Sequence, residues 1–271
     1  MSSLNKKASE RGRVWFGLLT KGFSERTGQC PSVKVADGKI GGNNVRVIAV
    51  VPDSDNHYPR AKFGEVGLLE GWTLGKTVSE AVEEDKDKSE KRVILAVIDV
   101  PSQAYGRREE AFGIHLALAA AAGAYAKARL AGHPVIGLIV GKAMSGAFLA
   151  HGYQANRLIA INDKEVMIHA MGKESAARIT KRTVGDLEEL ASTIPPMAYD
   201  ISHYNTLGLL ENLINVKNPE TPTKEEIEIV VSAVKAAMEK TKKEGNLLNN
   251  RIGSDNRIST KLVREKMRAQ W

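Results

Sequence analysis

The chain has 271 residues, 42% hydrophobic and 26% charged, enough for a substantial core and too apolar for a disordered or fibrous protein. One cysteine, Cys30, excludes an internal disulfide and a cysteine zinc cluster and fits a reducing cytoplasm. A net charge of +7 points to an acidic partner, an anionic cofactor or nucleic acid, yet basic and aromatic residues are not interleaved as in nucleic-acid binders. The longest apolar runs fall far short of the roughly 20 residues that span a bilayer, so neither membrane insertion nor export is expected.

In chain order, an irregular, polar and basic leader precedes two short strands at residues 33–36 and 45–51. The turn-rich segment 37–44 between them makes this an antiparallel hairpin at a sheet margin. A polar loop over 53–60 and a glycine-rich stretch over 64–75 lead to an amphipathic helix over 77–87. Residues 93–98 form a continuous apolar, β-branched run, the pattern of a parallel strand covered on both faces. An alanine-rich helix over 108–129, able to approach its neighbours closely, and a second apolar strand over 134–140 complete a βαβ crossover. Strands follow at 157–161 and 166–169. After Met171 the pattern turns helical at 174–180, 186–192 and 197–207, and the sheet is expected to be finished. Pro219 and Pro222 mark a hinge, Thr223 with Glu226 forms a capping box for a helix through Lys243, and the tail from Arg257 carries five basic residues against Glu265.

Two loops carry the chemistry. The turn Gly141-Lys142-Ala143-Met144-Ser145-Gly146-Ala147 follows a buried strand and opens a helix, so its free backbone amides suit developing negative charge; the alternative is a tight turn with glycine used for packing. The spacing is not that of a P-loop, since Ala143 stands at the hydroxyl position. The loop Asp99-Val100-Pro101-Ser102-Gln103-Ala104-Tyr105-Gly106 follows the first buried strand, and in an open parallel sheet both loops share one edge and form a cleft. Asp99 and Ser102 could instead cap the next helix. Ser145 and His169 could pair as nucleophile and base, but no third member is identifiable; His115 reads as a packing or surface residue.

Across nearly the whole length these residues resemble a known family. DVPSQAYG with RREE (99–110) and HPVIGLIVGKAMSGAFLA (133–150) resemble the corresponding segments of carboxyltransferase alpha subunits, members of the crotonase superfamily. GKAMSGAFLAHGYQANRLIA (141–160), VMIHAMGKE (166–174) and IPPMAYDI (194–201) are similar to gamma subunits of biotin-independent malonate decarboxylases. The resemblance implies an α/β crotonase/Clp-like carboxyltransferase fold with repeated ββα units over residues 1–215, and a helical C-terminal extension over 216–271 packed on a partner subunit. It implies a lyase that, with a beta subunit, converts malonyl-S-acyl carrier protein to acetyl-S-acyl carrier protein and carbon dioxide through an enolate in a backbone oxyanion hole. No cofactor is expected to bind directly, the carrier's phosphopantetheine or CoA-like arm entering as substrate. The implied catalytic residues are Ser145, Gly146, Ala147, Gln103 and His169; Ser102, Ala104, Tyr105, Gly106, Met144 and Gly141 are implied to bind substrate. Ser102 and Gln103, bulkier than their biotin-dependent counterparts, would narrow the carboxybiotin space, and the proton donor stays open between Tyr105, His169 and a beta-subunit group. A Clp-like serine peptidase using Ser145 and His169, or a non-catalytic scaffold whose basic tail docks the carrier, are the alternatives.

Overall fold

The computed structural model describes residues 8–271; the first part of the expected irregular leader lies outside them. In chain order the elements are α1 (Arg11–Leu19), β1 (Ser24–Glu25), β2 (Val33–Ile40), β3 (Asn43–Val50), α2 (Leu68–Glu84), β4 (Val93–Val100), α3 (Arg107–Ala111), α4 (Ile114–Leu130), β5 (Val135–Met144), α5 (Ser145–Ala150), β6 (Arg157–Asn162), β7 (Ile168–His169), α6 (Lys173–Thr180), α7 (Val184–Thr193), α8 (Ile201–Thr206), β8 (Asn212–Asn215), α9 (Lys224–Glu244) and α10 (Ile258–Gln270). The main sheet runs β1-β2-β3-β4-β5-β6-β8, with β7 paired to β5. The first three strands pair antiparallel and the others parallel.

Every residue of β4 is buried, as its unbroken apolar run requires of a strand covered on both faces. The close approach expected of the alanine-rich helix is realised against α2: a Cβ at Gly71 would come within 2.8 Å of the Ala117 backbone. That packing explains why α2 begins inside the glycine-rich stretch rather than at residue 77. Its start is fixed by Glu70, which accepts the Gly67 N–H at 2.9 Å while receiving Asn56 Nδ2–H at 2.8 Å.

The sheet is not finished at Met171: β8 pairs in parallel with β6. Asparagine at both ends leaves only Leu213 and Ile214 as apolar signal, too little for periodicity to register. The leader also contains a helix, α1, whose Trp15, Phe16 and Leu19 are buried. The single helix expected over 108–129 is two, because Gly113 takes a left-handed φ of 79° and ends α3. The strand expected over 166–169 shortens to β7 because Val166 N–H closes a turn onto Asp163 O. The helix expected over 197–207 is a 3-10 turn at Pro195–Met197 followed by α8, since two prolines remove the donors that an α-helix needs.

Two buried arginines are paired across elements. Arg46, with no solvent exposure, donates to Asp37 at 2.8 Å and to Thr77 O at 2.9 Å. Arg157 on β6 bridges Glu211 and Glu244, and α9 buries Val230, Val234, Ala237 and Met238 against this chain. Among the described residues no helix is long and apolar enough to cross a membrane.

Candidate functional site

Strands β4 and β5 are parallel neighbours, in register to Ile98–Ile139 and again, past an irregularity, at Val100–Ala143. Their carboxyl ends therefore present the loops after Val100 and Met144 side by side. The junction is fixed by Asp99, 4% exposed. Its Oδ1 accepts the Lys142 N–H at 3.1 Å; its Oδ2 accepts the Gly12 N–H at 3.1 Å and the Ser9 hydroxyl. A Cβ at Gly141 would lie 2.1 Å from Asp99 Oδ1, so glycine is required for the strands to close on the carboxylate. Asp99 and Ser102 do not cap α3, whose N-cap is Gly106 without a side-chain bond. The outer loop is held by Val66, whose N–H donates to Ser102 O at 3.1 Å and whose O accepts the Ala104 N–H at 2.9 Å.

Ser145 has φ of 60°, a left-handed conformation that a residue with a Cβ adopts only under strain, as often happens at functional turns. The twist brings two donors to one point. Ser145 O–H donates to Gln103 Oε1 at 2.8 Å, and Gly146 N–H donates to the same oxygen at 2.7 Å. A Cβ at Gly146 would come 2.5 Å from that oxygen. The turn thus cradles an sp² oxygen, here the side-chain carbonyl of Gln103.

Beside this cradle opens a cavity of about 290 Å³, lined by Ser145, Gly146, Phe148, Leu149, Tyr153 and His169 among others. Pro196, Tyr204 and Leu207 close its far side. The His169 ring stacks on Tyr199 with centroids 3.9 Å apart, and its Nδ1 lies 2.9 Å from Met171 O. Burial pushes its pKa below the ordinary histidine value despite that bond. Ser145 and His169 share the cavity but no hydrogen bond joins them, since the Ser145 hydroxyl is directed to Gln103. The relay that a serine peptidase needs is not assembled.

The other expected site residues divide by exposure. Ala147 is buried inside α5, Met144 is 6% exposed, and Gly141 serves the Asp99 junction. Ala104 is 1% exposed and packs with Ala61, Leu68, Ile114 and Ala117, so its side chain faces away from the cleft. Tyr105 is 61% exposed. Gly106 is hemmed in by Arg60 and Glu109, where a Cβ would meet atoms at 2.6 and 2.4 Å. The Ser102 hydroxyl turns onto Gln103 O at 2.8 Å, and His115 is exposed on α4. Sequence reasoning missed Phe148, Tyr153, Tyr204 and Leu207. The first two follow the motif on and beyond α5, whereas α8 reaches the cavity only through the fold. No group of three or more histidine, cysteine, aspartate or glutamate side chains able to hold a metal ion occurs among the described residues.

Residues 61–271 match the family model described as malonate decarboxylase gamma subunit. The malonyl-S-ACP:biotin-protein carboxyltransferase MADD of Malonomonas rubra is 38% identical over 188 residues, 68% of this chain and 64% of that protein, so the match spans less than two thirds of that relative's length. One subunit of a Pseudomonas malonate decarboxylase hetero-tetramer crystallised with coenzyme A is 55% identical, with a TM-score of 0.93 over 96% of this chain and 99% of that one. A chain of the transcarboxylase 12S hexamer, at 18% identity and a TM-score of 0.62, covering 86% of this chain and 41% of its own, shares the fold alone, which confirms the carboxyltransferase-type α/β architecture expected from sequence. With a family model covering most of its length and a near-complete structural match, the chain belongs to the malonate decarboxylase gamma-subunit family.

Proposed function

We propose that this chain is the gamma component of a cytoplasmic decarboxylase that, with a beta subunit, converts a malonyl thioester carried on an acyl carrier protein into an acetyl thioester and carbon dioxide. The observation that carries the reading is the convergence of Ser145 O–H and Gly146 N–H on one carbonyl oxygen, that of Gln103. A thioester oxygen has the same acceptor geometry, so it takes this place once the Gln103 side chain turns aside. Cleavage of the bond between the α-carbon and the carboxylate sends its electron pair into the thioester as an enolate. The negative charge then gathers on that oxygen, and the α-carbon afterwards takes up a proton to give the acetyl group. Preorganised donors at a developing oxyanion supply several kcal/mol of transition-state stabilisation.

The surrounding residues fit this task. The left-handed Ser145 aims the Gly146 amide, and the Ala147 amide follows in the first turn of α5, where backbone N–H groups have no intrahelical acceptor. The apolar side chains of Phe148, Leu149 and Tyr153 line the cavity beside the enolate, and burial, which lowers the His169 pKa, favours its neutral ring there. Tyr105, exposed on the loop after Ser102, is assigned here to the entry of the phosphopantetheine or CoA-like arm, with Gly106 shaping the backbone behind it. Gln103 fills the space in front of the turn, and we infer that this narrowing, with Ser102 beside it in the chain, disfavours biotin as carboxyl acceptor; ready carboxylation of free biotin by the complex would contradict it.

The reading is tested by measuring malonyl-thioester decarboxylation with this chain alone, the beta subunit alone and the two together. Activity confined to the mixture supports a shared site. Full activity of the beta subunit alone would leave this chain a scaffold.

A further inference from the structure

The two helices of the C-terminal extension differ in what they bury. Helix α9 has an apolar face against the sheet, whereas no residue of α10 is buried. At 100° per residue, Arg257 at the N-cap and Lys261, Arg264 and Arg268 on α10 fall at i, i+4, i+7 and i+11, within about a 60° arc of one face. Like charges at this spacing repel along a helix, so the stripe is stabilised by an anionic counterpart. Residues 257–271 hold five basic side chains against one acidic, a net of +4 in a chain of net +7. Ile258 and Met267, each more than half exposed, flank the stripe about 90° to either side of its centre and supply contact area.

The stripe starts beside the cavity at Ser145. The 3-10 turn Asp255–Arg257 that leads into α10 packs against the turn Pro195–Met197, and Pro196 lines that cavity. The approach is fixed by Arg251, which donates to Tyr153 O at 2.7 Å, and by Ser254, whose hydroxyl donates to Thr206 O. Tyr153 is itself a cavity residue. A partner seated at the start of α10 therefore lies next to the wall of the cavity.

We propose that α10 is the docking surface for the acidic carrier protein, its basic stripe receiving the carboxylates and the arm-bearing phosphodiester on that protein's surface. The phosphodiester is anionic by its chemistry, and the carrier must place its thioester in the adjoining cavity, which together select this occupant over the beta subunit. The inference rests on the proposed carrier-bound substrate.

The test uses the assembled beta–gamma complex and an acyl carrier protein bearing its pantetheine-type arm, with the dissociation constant measured against salt concentration. Three reversals, Lys261→Glu, Arg264→Glu and Arg268→Glu, are compared with a remote set of equal charge change, Lys181→Glu, Lys224→Glu and Lys243→Glu. The tail set is expected to weaken carrier binding about tenfold or more and flatten its salt dependence, while the remote set changes it less than about twofold. Equal weakening by both sets, or no weakening by the tail set, overturns the proposal. So does loss of the beta subunit from the tail variant on a sizing column, or a selective loss of binding to anionic vesicles with carrier affinity intact. Failure of the underlying reading looks different: the wild-type complex itself would show no measurable carrier affinity.

Discussion

Two polar constellations lie at opposite ends of the same segment. At its start, Ser145 and Gly146 converge on Gln103 Oε1; at its end, His151 Nε2 lies 2.9 Å from Val97 O and Nδ1 3.0 Å from the Tyr125 hydroxyl. Val97 O only accepts, so Nε2 carries the proton and Nδ1 accepts from Tyr125 O–H. Both His151 and Tyr125 are fully buried, and the ring is held neutral by burial, with its pKa lowered to about 4. Both ring nitrogens of His151 are engaged, and neither residue has any solvent exposure. The cradle at Gly146, in contrast, is only partly buried, opens beside a cavity, and is filled by a flexible side chain that another oxygen can replace. A histidine by itself is thus a poor marker of chemistry in this fold, and donors converging on an exchangeable oxygen are a better one.

The largest effect that would break this contrast is at Gly146. Gly146→Ala places a Cβ 2.5 Å from Gln103 Oε1, in the space that the substrate oxygen needs. Decarboxylation by the complex is expected to fall about 10²- to 10³-fold, the range for loss of one oxyanion donor, with an almost unchanged melting temperature because the displaced group is a flexible side chain. The sealed constellation should show the converse in its pH dependence. Below the ordinary histidine pKa of about 6.5 the unfolded chain binds a proton that folded His151 refuses until about pH 4. Stability is therefore present above pH 6.5 and is lost as pH falls towards 4, by up to about 3 kcal/mol. Chemical denaturation from pH 7 to 4.5 measures that slope, and His151→Gln should flatten it.

Tyr125→Phe leaves His151 Nδ1 without its donor and is expected to cost about 1–3 kcal/mol of stability with kcat retained, read by paired denaturation and kinetics. The smaller effect on the cradle is at Ser145. Ser145→Ala removes one of two donors but leaves the Gly146 amide in place, so activity should fall no more than about 10²-fold, the lower end for loss of one oxyanion donor, and stay measurable. A serine nucleophile would instead lose all of it.

The sealed His151–Tyr125 pair was not legible in the sequence, whereas the frame of the cradle was, for identifiable reasons. The buried strands β4 and β5 announce themselves by unbroken apolar runs, and two loops at neighbouring strand ends follow from parallel topology alone. The close contact of α2 with the alanine-rich α4 was half visible: small side chains were plain, but Gly71 as the partner was hidden in what looked like a loop. The strand β8 was lost because four residues flanked by asparagines carry almost no pattern. In the site, the glycines and Ser145 could be placed, whereas the Gln103 carbonyl on the Gly146 amide depends on a left-handed serine that spacing does not reveal. Ala104 was grouped with the cleft because it neighbours Gln103, yet alternation in the short bridge to Val66 turns it to the core. The roles of Tyr204 and Leu207 arise only when α8 and the residue after it fold onto the cavity that α5 lines.

The most direct test is a crystal structure of the beta–gamma complex with a malonyl thioester analogue that resists decarboxylation. The account predicts the thioester oxygen about 2.7–3.1 Å from the Gly146 nitrogen, with the Gln103 side chain turned away. Gln103 Oε1 still on that amide, with the thioester oxygen held elsewhere, would contradict it.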